Sequence, residues 1–177
     1  RFQNDVDIEE ESVTITSGKA DIVFLLDITG SMSTPIDNVK SNIKTFTEYI
    51  NEQGVDIRFG LVYFKDIFED GTDSTEELGF YYDYEEFLEV MSDVDWYIGG
   101  GGDDPETVVD ALDAMKQMSF RAGVDKFAIV ITDVYYKDGI RTDESYTMEQ
   151  MIGALNSAGI CTSVVTNDYY FDEYEAL

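Results

Sequence analysis

The sequence predicts an α/β fold: a doubly wound, mostly parallel sheet with helices on both faces and one short antiparallel edge strand. Three observations predict it. Ile22-Val23-Phe24-Leu25-Leu26 and Phe127-Ala128-Ile129-Val130-Ile131 are unbroken apolar runs of strand length, as expected for strands covered on both faces. Between such runs, apolar residues recur at spacings of three and four, the period of amphipathic helices. Strand and helix patterns alternate along the chain, which favours a parallel sheet with crossover helices.

The elements follow in order. Residues 1–18 are acidic and read as an N-terminal arm or linker, with Val13 to Thr16 a candidate short strand. After the first strand, Thr34-Pro35 reads as an N-cap and first helical residue, and Ile36, Val39, Ile43, Phe46 and Ile50 mark a helix ending near Gly54. Ile57 to Phe64 is a second strand. The acidic loop Asp66 to Glu77 leads into a shorter strand around Leu78 to Tyr82, then a brief helix from Tyr84 to Met91. Gly99 to Gly102 form a permissive loop, and Pro105 marks the first turn of a helix carrying Val108, Ala111, Leu112 and Met115. Met148, Met151, Ile152 and Leu155 mark the next helix, Gly159 its stop, and Ile160 to Thr166 the following strand. Tyr170 to Leu177 begins a final helix.

With 177 residues, 44% of them apolar, the chain is long enough for one well-filled core despite a formal charge of −27. That charge repels phosphate polymers and anionic lipid, so nucleic-acid binding is not expected. No apolar run exceeds five residues, too short for membrane insertion. There is no His, which excludes Ser-His-Asp and Cys-His catalysis and His-based zinc sites; any metal must be held by oxygen. The single Cys161, in a strand-like run, reads as buried packing.

The first strand runs into Asp27-Ile28-Thr29-Gly30-Ser31, and the Phe127 to Thr132 strand into Asp133. Acids and hydroxyls thus stand at C-terminal strand mouths, where open α/β sheets bind ligands. Asp27 is expected there outside the core.

These residues resemble a family. Asp27-Ile28-Thr29-Gly30-Ser31 is similar to the Asp-x-Ser-x-Ser signature of the von Willebrand factor A domain, with Thr29 for the first Ser. Asp133 resembles that family's final metal-site acid, and Gly100-Gly101-Gly102-Asp103-Asp104-Pro105-Glu106 the glycine-rich middle loop of bacterial members. The resemblance spans about residues 19 to 175. It implies a Rossmann-like domain over 19–177, cut before its last strand and part of a longer polypeptide. It also implies a metal-ion-dependent adhesion site holding Mg²⁺ or Mn²⁺, with Ca²⁺ a further candidate, through Asp27, Thr29, Ser31, Asp103 and Asp133. Chemistry agrees, since a hard divalent cation takes about six oxygens.

One departure stands out. The family's usual middle-loop Thr is neutral, but this loop offers Asp103 and Asp104, while Thr107 is expected within the helix. Asp104 is best placed as the helix N-cap, leaving Asp103 as a metal ligand or water-holder. Three carboxylates around one divalent ion would hold the metal and disfavour an acidic partner. Tyr135, Tyr136, Asp104 and Glu106 are candidate ligand-rim residues, and Trp96 and Tyr97 are expected to pin the glycine loop to the core. Asp66, Asp70 and Glu77 echo a calcium loop, weakly, because Phe68 occupies its third position.

The resulting expectation is a non-enzymatic, extracellular or bacterial-surface module that binds an unknown protein or glycan at its metal face. A structural domain whose metal only stabilises the fold is the alternative. A minor alternative is phosphotransfer of haloacid-dehalogenase type, which Asp27-Ile28-Thr29-Gly30 also resembles. That chemistry needs a phosphate-clamping Lys, and Lys126 precedes its strand, at the wrong end.

Overall fold

The protein is described by a computed structural model covering residues 18–34, 36–67, 75–96, 98–100 and 105–177. The arm, apart from Gly18, and Asp70, Tyr97, Asp103 and Asp104 lie outside the described residues. Five strands, β1 (Lys19–Asp27), β2 (Asp56–Phe64), β3 (Thr75–Tyr81), β4 (Asp125–Ile131) and β5 (Ile160–Val165), form one sheet in the order β3-β2-β1-β4-β5. All neighbours are parallel except β2 and β3. The helices are α1 (Ile36–Glu52), α2 (Tyr84–Ser92), α3 (Val108–Gln117), α4 (Met148–Ala158) and the short α5 (Phe171–Tyr174). None of the helices among the described residues is long and apolar enough to cross a membrane.

The pleat of β1 divides the core. Ala20, Ile22, Phe24 and Leu26 pack on one face with Ile36 and Ile43 of α1 and Phe87 and Met91 of α2. Val23 and Leu25 pack on the other with Val108, Leu112 and Met115 of α3 and Met151 and Leu155 of α4. Because side chains alternate along a strand, an unbroken apolar run is what a two-faced core requires. A Thr147–Gln150 capping box starts α4, and Gly159 ends it in the left-handed region (φ 66°), where glycine carries no Cβ penalty.

At the N-terminal end of the sheet, Asp21 of β1 is fully buried and enclosed by cations. Arg58 donates to it from Nε (3.0 Å) and Nη2 (2.6 Å), and Arg121 from its backbone N and its Nε, both at 2.7 Å. The Arg58 guanidinium also lies over the Phe80 ring, 4.2 Å from its centroid.

Three expectations are corrected here. β3 starts at Thr75, not Leu78, because the Thr75 hydroxyl donates to the buried Asp110 carboxylate of α3 (2.7 Å), a long-range anchor that polar local sequence does not advertise. α3 starts at Val108 rather than near Pro105, because Glu106 instead forms a parallel bridge with Tyr136. Cys161 is exposed, since β5 is the outermost strand in the sheet order.

Candidate functional site

Three connections meet at the C-terminal end of β1. Chain continuity beyond β1 is kept by Ile28, whose N–H donates to Phe64 O of β2 (3.0 Å). Thr29 stays extended (φ −68°, ψ 168°) and leads into a 3-10 turn, Gly30–Ser33, which the buried Met32 anchors. The glycine loop docks on this turn: Gly99 N donates to Ile28 O (2.9 Å) and Gly30 N to Gly100 O (3.2 Å). The third connection follows β4 and carries Thr132 and Asp133.

These residues form a continuous chain of polar contacts. Asp27 Oδ1 accepts from the Thr29 N–H (2.9 Å) and hydroxyl (2.6 Å), while Asp27 Oδ2 accepts from the Thr132 hydroxyl (2.7 Å). The Ser31 hydroxyl donates to Asp133 Oδ1 (2.9 Å) and lies 3.1 Å from the Thr29 hydroxyl. A hydroxyl has one proton. Both protons here point at carboxylates, so the lone pairs of Thr29 and Ser31 are available to a cation.

Asp27 is fully buried, against the expectation that it stands outside the core. Burial pushes its carboxyl up to about 6, the Thr29 and Thr132 hydrogen bonds oppose the rise, and the Asp133 charge adds to it. Among the described residues no Lys or Arg donates to Asp27. A buried carboxylate without a cationic partner is costly, and a divalent ion would supply the missing charge. The donors are all oxygen, so they fit a hard cation. No three acidic or thiol side chains gather into one metal-holding group among the described residues, so any such site relies on the hydroxyls or on residues outside them.

The remaining candidates separate. Glu106 does not stand on the rim: it is buried, and its charge acts together with that of Asp27 on the Tyr174 phenol, whose pKa burial raises first. Its backbone ties the helix entry to the Asp133 loop, Glu106 N donating to Tyr135 O (3.1 Å) and Glu106 O accepting from Lys137 N (3.0 Å). Tyr135 and Tyr136 are half-buried beside it, Tyr136 packed on Tyr174 with centroids 5.5 Å apart. The N-cap of α3 is Thr107, not Asp104. Thr107 lies just outside the helix, contrary to expectation, with its hydroxyl donating to Lys65 O (2.5 Å) and accepting from Ile67 N (3.1 Å). The calcium-loop pattern is divided: Asp66 is buried in an ion pair with Lys137, and Glu77 lies in β3 opposite Val62. An antiparallel strand cannot curl its residues around an ion as a calcium loop does.

Sequence reasoning missed Thr132 and Asn167. Thr132 holds Asp27, and Asn167 Nδ2 donates to Asp133 O (2.6 Å). Thr132 immediately precedes Asp133, the one local signal available; Asn167 had none.

Comparison with known proteins agrees with this architecture. The Alpha-protein kinase vwkA of Dictyostelium discoideum is 31% identical over 115 residues, 64% of this chain and 18% of that protein. Solved structures with the same fold include BatB from Bacteroides thetaiotaomicron, at TM-score 0.57 and 18% identity, covering 82% of this chain and 65% of that one. The pilus adhesin SpaC from Lactobacillus rhamnosus GG, in its open conformation, gives TM-score 0.59 and 18% identity over 82% of this chain and 23% of that one. The chain therefore spans under a fifth of its curated relative's length. The sequence model of the von Willebrand factor type A domain matches residues 21–171, and the chain belongs to that family.

Proposed function

We propose that this domain is a binding module that recognises a protein or glycan partner through a divalent cation at the C-terminal end of its sheet. The supporting observation is the polar chain Asp27–Thr29–Ser31–Asp133, in which a fully buried carboxylate has hydroxyl partners but no cation. Asp27, Thr29, Ser31 and Asp133 would hold Mg²⁺ or Mn²⁺, with Asp103 as a further ligand or water-holder. Once bound, the ion supplies a Lewis-acidic position for a partner's oxygen. Thr132 and Asn167 keep Asp27 and Asp133 in place. A surface or extracellular setting is part of the proposal, in keeping with the pilus adhesin that shares the fold.

The reading is non-enzymatic. Phosphotransfer on Asp27 would need a Lys free to clamp phosphate, and Lys137, on this end of the sheet, is paired with Asp66. A structural role for the metal is the second reading, favoured by the burial of Asp27: an ion there would relieve a cost of folding as well as serve a partner.

Calorimetric titration of the metal-stripped protein with Mg²⁺, Mn²⁺ and Ca²⁺ tests the site, beside Asp27→Asn, Asp103→Ala and Asp133→Ala. One site lost in Asp27→Asn and Asp133→Ala is expected; binding that survives both places the ion elsewhere. Loss in Asp103→Ala assigns that residue as a ligand. If metal removal lowers Tm without changing partner capture, the structural reading replaces the first.

A further inference from the structure

Beside Asp133 lies an aromatic surface that metal binding does not use. Tyr135 packs on Tyr170 with centroids 5.5 Å apart, and Tyr170 meets Tyr169 edge-to-face at 5.0 Å. Tyr169 is 85% exposed and Phe171 63% exposed, large apolar areas for a folded surface. The segment is fixed to the candidate site, because Asn167 donates to Asp133 O through its side chain and accepts from Tyr169 N (3.0 Å). The Tyr174 hydroxyl adds a bond to Val134 O (2.9 Å).

Charge indicates what fits there. Asp168 and Asp172 are exposed and flank Tyr169, Tyr170 and Phe171 in the sequence, Glu173 and Glu175 follow, and no Lys or Arg occurs after Arg141. Rings flanked by carboxylates attract a cation twice, through the ring faces and through charge. A neutral sugar gains nothing from the second term, and an acidic ligand is repelled.

We propose that Tyr135, Tyr169, Tyr170 and Phe171, with Asp168 and Asp172, dock an arginine- or lysine-bearing segment of a partner protein. The inference deepens the binding-module reading and rests on it, naming the partner's chemistry next to the metal position.

The test uses the whole chain in Mg²⁺ and fluorescence anisotropy of a labelled arginine–glycine repeat peptide, with the citrulline–glycine peptide as its neutral isostere. Tighter binding of the arginine peptide is expected, weakening as salt is raised. Tyr169→Ser with Phe171→Ser should lose about fivefold in affinity, two exposed cation–π contacts' worth, while Tyr49→Ser, an exposed ring on α1, should not. Equal binding of the two peptides overturns the proposal, as does equal loss in the Tyr49 control. A neutral oligosaccharide that binds only when Tyr169 and Phe171 are present would overturn it in favour of a glycan. Mn²⁺ titration of the same variants keeps the two readings apart: failure of metal binding counts against the metal site, whereas the arginine–citrulline contrast decides the patch.

Discussion

Asp21 and Asp27 lie on the same strand, six residues apart and fully buried, and their surroundings are opposite. Burial raises the pKa of both. At Asp21 the hydrogen bonds from Arg58 and Arg121 outweigh burial and hold the carboxyl below its usual range. At Asp27 the partners are the neutral hydroxyls of Thr29 and Thr132, and the carboxyl is pushed up to about 6. The fold surrounds the buried acid at one end of β1 with arginines, and among the described residues gives the buried acid at the other end neutral partners alone. Unmatched buried charge is a mark of a binding site, matched buried charge of a structural clamp.

The comparison is broken most strongly at the clamp. Asp21→Ala leaves two arginines facing each other without their shared acid, and should cost about 3–5 kcal/mol in urea unfolding. An effect under about 1 kcal/mol would mean that both side chains reach solvent freely.

Asp27→Asn should act in the opposite direction. In metal-free protein near neutral pH it removes a buried charge, and stability should rise by up to about 3 kcal/mol, the equivalent of the shift from 3.8 to about 6. The sign follows from proton uptake: native Asp27 holds its proton up to about 6, the unfolded chain releases it near 3.8, so stability falls as pH rises through that window. Asp21 runs the other way, its contribution present above the unfolded value and lost as pH falls through its lowered native value. Subtracting the Asp27→Asn pH profile from that of the wild type isolates the first effect, and a flat difference between pH 4 and 6 would contradict the assignment.

Thr132→Val should give the smallest change, about 1 kcal/mol in stability, because it removes one hydrogen bond from Asp27 Oδ2. It should also weaken Mn²⁺ binding about tenfold, as loss of a group that orients a ligand does. Unchanged metal affinity would leave Thr132 a packing residue.

The four parallel strands were legible because each carries enough buried apolar or β-branched residues to mark it locally. β3 was legible only in its second half: Thr75 to Glu77 is polar, and what makes it a strand is pairing with Tyr63, Phe64 and Val62 and the bond to Asp110. Asp27, Thr29, Ser31 and Asp133 were found as a set because three of them lie within five residues and the fourth ends a recognisable strand. Glu106 was expected on the rim as the last residue of the glycine-rich motif, whereas it is buried and its backbone bridges a segment thirty residues later.

The alternation of strands and helices, a mostly parallel sheet covered on both faces and the oxygen-only chemistry of any metal were determined by the sequence alone, since periodicity, run length and the absence of His are local properties. Tertiary structure alone decided which acid receives arginines and which does not, that Asp27 is buried, and that Asn167 ties the Tyr169–Tyr170 pair to the backbone of Asp133. Those outcomes depend on contacts between residues about 35 to 105 positions apart, and electrostatic environment is a property of such neighbours rather than of the residue that carries the charge.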